Sequence, residues 1–150
     1  MTVVKINPEN TEELAIVKAI REKVFVEEQN FSPDEDNDGK ESECEHFLAY
    51  DDETGHPVAT GRLYIHDNRG KLQRICVLKE GRGKGFGRKI ILAIEQSARE
   101  EQLDSLYLSA QEHAVPFYEK LGFVATTGER YIDMGGIWHI DMDYKIAVHA

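Results

Sequence analysis

The sequence predicts a mixed α/β domain, with helices packed on one sheet that is antiparallel over its front half. Three observations carry this. Apolar runs at strand spacing and longer ones at helical spacing alternate in the order β α β β β α β α β β. Short polar turns join the early strands as hairpins. Finally, a turn with glycines at 81, 83, 85 and 87 connects an apolar run to an amphipathic helix. At 150 residues the chain reads as a single domain, residues 1–150, long enough to bury a sizeable core.

Val3-Val4-Lys5-Ile6 reads as the first strand. Asn7 to Asn10 is a turn, and Asn10 or Thr11 caps a helix. Leu14, Val17, Ile20, Val24 and Phe25 keep helical spacing, so the helix runs over 11–29, with room for a break. Asn30 to Glu45 is polar and acidic and holds Pro33 and Gly39, which predicts a solvated loop. His46 to Tyr50, Pro57 to Ile65 and Lys71 to Leu78 read as strands, with turns at 51–56 and 67–70. The next helix ends near Glu101 and turns Ile90, Ile91, Ile94 and Ala98 inward. Ser105 to Ser109 is a short strand. A helix over 114–121 follows, with Pro116 in its first turn and Gly122 as its C-terminal cap. Phe123 to Thr126 and Trp138 to Ile146 are strands on either side of a Gly135-Gly136 loop.

Charge narrows the function. The net charge of −10 argues against general nucleic-acid binding. Residues 27–53 hold twelve acids and one base, whereas residues 74–89 hold six bases and one acid, Glu80. An acidic protein thus concentrates positive charge around its glycine turn, as an anionic ligand requires. No apolar run is long enough to cross a membrane as a helix, and Met1 to Asn7 does not look like a secretion signal. Two cysteines, Cys44 and Cys76, form no disulfide framework, which fits a reduced, cytoplasmic protein.

Arg82-Gly83-Lys84-Gly85-Phe86-Gly87 is the strongest chemical signal. A side-chain-poor turn at a helix start lets backbone N–H groups converge on a phosphate, with the helix dipole adding attraction. The turn is not the Gly-x-x-x-x-Gly-Lys-Ser/Thr loop of nucleotide triphosphatases. A dinucleotide GxGxxG would put its third glycine at Arg88.

Arg82-x-x-Gly85-x-Gly87 resembles the Q/R-x-x-G-x-G/A signature of the GNAT superfamily of N-acetyltransferases, and Ala114-Val-Pro-Phe-Tyr118-Glu-Lys-Leu-Gly-Phe123 is similar to its A-x-x-FYEKLGF segment. The resemblance spans the whole chain. Arg21 to Gln29, Gly61-Arg62-Leu63 and Trp138-His139-Ile140 resemble a subgroup of small bacterial members. It implies the acyl-CoA N-acyltransferase fold, a mixed and mostly antiparallel sheet flanked by helices. It also implies acetyl-CoA as cosubstrate and transfer to a primary amine in a ternary complex, without an acyl-enzyme. The amides of Arg82, Gly83, Lys84, Gly85, Phe86, Gly87 and Arg88 would hold the pyrophosphate, and the side chains at 82, 84 and 88 would add charge. Ile75, Cys76 and Val77 would pair with the pantetheine arm, and the amide of Val77 or Leu78 would polarise the thioester carbonyl. Tyr118 would protonate the leaving thiolate, although its periodicity also fits a core tyrosine. Phe117 would border the coenzyme. Gln111 stands where many members carry a ligand-contacting Asn, with His113 nearby. A non-catalytic acyl-CoA-binding module is the different-class reading, and a homodimer is compatible with the resemblance.

A lysine-like amine, with a pKa of about 10.4, must lose a proton before attacking. Glu28 is the first candidate base, ahead of Glu27, His46 and His139. The resemblance implies a small-molecule or peptide amine as acceptor, and the acidic half of the chain hints that it is cationic, although a solvated acidic face explains the same charges. Asp34-x-Asp36-x-Asp38-Gly39-x5-Glu45 also matches the calcium-loop pattern. Pro33 before the first ligand, Glu41 at an ordinarily apolar position and the single copy argue against a metal there.

Overall fold

Four strands, β1 (Thr2–Ile6), β2 (Cys44–Tyr50), β3 (Pro57–His66) and β4 (Arg69–Val77), meander antiparallel in a computed structural model that describes residues 1–146. β5 (Ser105–Gln111) then runs parallel to β4, and β7 (Ile137–Lys145) and β6 (Val124–Asp133) follow antiparallel. The result is one seven-stranded sheet in the order β1-β2-β3-β4-β5-β7-β6. Asp67 and Asn68, both at positive φ, form the two-residue turn that the right-handed twist of a hairpin favours.

Helix α1 (Thr11–Arg21) starts where the Asn10 side chain accepts the N–H of Glu13. The expected break follows as a π-helical turn over Glu22–Glu28, closed by Gln29 N–H bonding the carbonyl of Val24 five residues back. This stretch covers one face of the sheet with Val17, Ile20, Val24 and Phe25 against Leu48, Cys76 and Leu78. Helix α3 (Phe86–Glu100) covers the other with Phe86, Ile90, Ile91, Ile94 and Ala98 against Ala59, Leu63, Leu106 and Met142. Helix α4 (Val115–Lys120) has Pro116 in its first turn and ends before Gly122 at φ 96°.

Two sequence expectations need correction. The stretch 30–45 is not a solvated loop. Pro33–Asp36 forms a short helix, α2, capped reciprocally by Ser32 and Glu35, and Asp36 and Glu41 are buried. β6 reaches Asp133 rather than ending at Thr126, with a register irregularity between Ala125 and Arg130. Its polar, mostly exposed residues hide the strand periodicity.

The sheet opens at its one parallel seam. β4 and β5 are in register only at Arg69 with Ser105, Gly70 with Leu106 and Lys71 with Tyr107. Farther on, β4 carries one more residue than β3 between the pairs Gln73–Arg62 and Cys76–Thr60. That bulge includes Arg74 at φ 55°, a conformation uncommon for a residue with a side chain. A bulge bends and twists its strand, and β4 parts from β5 here to leave a cleft.

Candidate active site

The cleft encloses about 850 Å³, within the range of small-molecule sites. The glycine turn, the opened edges of β4 and β5, α4 and the π-helical turn border it. At the glycine turn, Gly81 and Arg82 N–H groups bond the carbonyls of Leu78 and Lys79. The free donors therefore begin at Gly83 rather than at Arg82. From Gly83 to Arg88 the backbone N–H groups have no backbone partner, and Lys89 N–H resumes the ladder on the Gly85 carbonyl. Gly83 and Gly85 adopt φ of 78° and 86°, which turns successive amides toward one side. Gly87 lies against Phe117, whose ring borders the cleft. Phe86 is buried in the core beneath the turn.

The side chains expected to add charge here are partly committed. Arg82 Nη2 donates to both carboxylate oxygens of Glu28 at 2.8 and 2.6 Å, and its Nε donates to the Val77 carbonyl at 3.1 Å. Lys84 Nζ sits 3.8 Å from Asp51. Arg88 lines the cleft without an ion pair among the described residues.

Ile75, Cys76 and Val77 line the cleft, but not in the same way. Leu78 N–H bonds the Val58 carbonyl at 2.7 Å, which removes it as an oxyanion donor. Val77 stands directly opposite Ala59 one step earlier. The alternation of an antiparallel ladder then turns its N–H and C=O away from β3, into the cleft. Cys76 points the other way, into the α1 core, where burial pushes its thiol up and makes it a poor nucleophile. Tyr118 borders the cleft between Phe117 and Phe123, and burial holds its phenol protonated well above its ordinary range. Among the described residues its hydroxyl takes no hydrogen bond, yet it is not a sealed, unpartnered polar atom.

Beyond β4 the cleft continues between the π-helical turn and the C-terminal strands. Gln111 on β5 donates from Nε2 to Gln29 Oε1 at 2.8 Å and receives His113 Nε2 on its own oxygen at 2.6 Å. This bridge ties the π-helical turn to β5. Glu28 and His139 line the cleft, whereas Glu27 is exposed outside it. His46 is fully buried in β2, with Nε2 on the Glu41 carbonyl and Nδ1 unpartnered, so it reaches no substrate. Burial and nearby Arg62 and Arg21 push its pKa down.

A buried ion-pair network, which the linear sequence did not reveal, forms the floor of this end. Arg21 holds Asp36 at 3.1 Å and Glu41 at 3.3 Å, Arg62 grips both oxygens of Asp38, and Arg74 reaches Asp36 and Asp38. Asp36 and Asp38, two of the acids in the calcium-like pattern, and Glu41 between its last ligands thus bind the protein's own arginines. Three of the twelve acids that suggested a cationic acceptor are neutralised by the protein itself.

Comparison with known proteins points to one family. The model of the acetyltransferase (GNAT) domain matches residues 9–146. An uncharacterized N-acetyltransferase of Bacillus subtilis, YjcF, is 42% identical over 133 residues, covering 89% of this chain and 93% of that protein. The crystal structure of an acyl-CoA N-acyltransferase from Pseudomonas aeruginosa superposes with a TM-score of 0.81 at 29% identity, over 95% of this chain and 99% of that one. An aminoglycoside 6'-N-acetyltransferase complexed with coenzyme A shares the fold alone, with a TM-score of 0.79 at 14% identity over 100% and 99% of the two chains.

Proposed function

We propose that this chain, which belongs to the GNAT family of acetyltransferases, moves the acetyl group of acetyl-CoA onto a primary amine of a small molecule or peptide by direct attack. One observation carries the reading. Six free amides, from Gly83 to Arg88, adjoin an open β4 edge where Val77 and Tyr118 border a single cleft. The amides and Arg88 suit a pyrophosphate, and the β4 edge suits an extended amide-bearing arm that pairs as an added strand.

Chemistry then follows from what remains. With the pyrophosphate on the turn and the arm along β4, the thioester carbonyl falls beside Val77 N–H, which stabilises negative charge on its oxygen. The amine gives up one proton, to Glu28 or His139, and its nitrogen bonds to the carbonyl carbon. The carbon–sulfur bond breaks and its electron pair leaves on sulfur. Tyr118 donates its proton to that sulfur and recovers one from the new amide nitrogen, so the products are acetylated amine and free thiol. Because Tyr118 is a firmly protonated phenol, it supplies a hydrogen bond in advance and yields the proton only as thiolate charge develops.

The competing reading, a non-catalytic acyl-CoA-binding module, predicts a different experiment. Thiol release from acetyl-CoA is followed with a panel of amines for wild type and Tyr118→Phe. We expect turnover with at least one amine, a loss of about 10²-fold in kcat for the variant, and unchanged coenzyme affinity. Tight coenzyme binding with no transfer to any amine would establish the binding module instead.

A further inference from the structure

We infer that His139 on β7 is the group that takes the proton from the attacking amine, an assignment that rests on the acetyl-transfer reading above. The tautomer is the first argument. His139 Nδ1 lies 2.7 Å from the carbonyl oxygen of Ile137, and a carbonyl only accepts. The ring proton therefore sits on Nδ1, leaving Nε2 as a bare lone pair. The ring borders the cleft and is only 5% exposed. Its Nε2 has no protein partner among the described residues, where His46 Nδ1 alone is a sealed, unpartnered side-chain polar atom. The lone pair is therefore not sealed, on a ring that borders the cleft.

Position is the second argument. His139 lies directly opposite Gln111 on β5 and Tyr131 on β6, with the Tyr131 ring stacked 6.2 Å away. Packing and the Ile137 bond fix the ring, which spares a base the cost of reorienting. The other bases named from the sequence are each engaged or misplaced, and His113, whose Nε2 bonds Gln111, is exposed rather than fixed in the cleft wall. Glu28 has both oxygens on Arg82, Glu27 stands outside the cleft, and His46 is sealed. The titratable and charged groups around His139 are Tyr131 and Asp133 on β6, Asp141 on β7, His113 through Gln111, and Glu28, Asp38 and Arg74 across the cleft. In the step itself, the ammonium nitrogen loses a proton to Nε2, the freed nitrogen pair attacks the thioester carbon, and the imidazolium returns its proton to solvent.

The test is His139→Asn. The Asn amide nitrogen overlays Nδ1 and can still donate to Ile137, but it offers no base at the Nε2 position. Rates are measured from acid to alkaline pH with a strongly basic primary amine and with one already neutral at assay pH, beside Glu28→Gln and with coenzyme A affinity as a folding control. We expect about 10²-fold lower kcat/KM for the basic amine, loss of the acid limb of its pH profile, near wild-type rates for the neutral amine and unchanged coenzyme affinity. An equal loss for both amines, or a wild-type pH profile in His139→Asn with the limb lost in Glu28→Gln, overturns the assignment. A wild-type protein that acetylates neither amine overturns the acetyl-transfer reading itself, a separate result.

Discussion

Gly83 and Gly85 show why residue type matters at the glycine turn. A Cβ built on either would meet no atom within 4 Å, so space is not what excludes a side chain. Their φ of 78° and 86° lies in the left-handed region, which residues with a side chain rarely adopt. Placing alanine in the left-handed region costs about 1–2 kcal/mol, and relaxation toward negative φ would turn amides out of the free row. Gly85→Ala should therefore lose about that much stability in urea unfolding and weaken coenzyme A binding in calorimetry. An unchanged affinity would remove the turn from the donor site. Gly81 is the opposite case: its backbone is ordinary, but a Cβ would lie 3.1 Å from that of Val58. Spacing alone reveals glycines but not this difference. It likewise left Val77 and Leu78 equivalent, which only strand pairing resolved.

At the scale of elements, the segment from α2 to Glu43 is held by side chains far away in sequence. Arg62 on β3 is 1% exposed and grips Asp38. Removing one partner of a buried pair leaves the other uncompensated, at about 3–5 kcal/mol. Asp38→Ala should strand that guanidinium, lower unfolding stability by about 3 kcal/mol and loosen residues 33–43 to proteolysis. A loss under about 1 kcal/mol would mean that Gln73, which accepts from Arg62 Nε, is partner enough. This segment was unreadable in the sequence because nothing local says which acids will meet Arg21, Arg62 and Arg74. The amphipathic α3 was readable because its apolar stripe is a local pattern. The β4 bulge was not, since Arg74 holds a positive φ without the glycine that usually announces one.

Taken as a whole molecule, the protein should be sensitive to acid in two stages. Burial and neighbouring arginines lower the pKa of His46, whereas the unfolded value is about 6.5. Its folded form therefore binds fewer protons than the unfolded chain, and its stabilising effect fades as pH falls below about 6.5. Asp38 is also lowered by Arg62, Glu41 by a backbone hydrogen bond and Arg21, and Glu45 by Glu101, Ser97 and Lys5, so their contribution is complete above about pH 5 and lost as pH drops through their folded values. Melting temperature should hold from pH 8 to 7, decline gently toward pH 5, and fall steeply below pH 4. His46→Gln should flatten the gentle part only, and a variant profile parallel to wild type throughout would remove His46 from this account. The order of strands and helices was legible along the chain because hairpins and helices are local. The opened seam was not, because it depends on two strands separated by the whole of α3.

That seam has a mechanical consequence. Only three residue pairs lace the four-strand half of the sheet to the three-strand half, a short hinge braced by α3, which packs on both. We expect a molecule lodged between them to work as a strut that limits how far the acceptor side can gape. Coenzyme A should then slow amide hydrogen exchange in β5 and β7, beyond the residues it borders, while β1 and β2, far from the hinge, keep their pace.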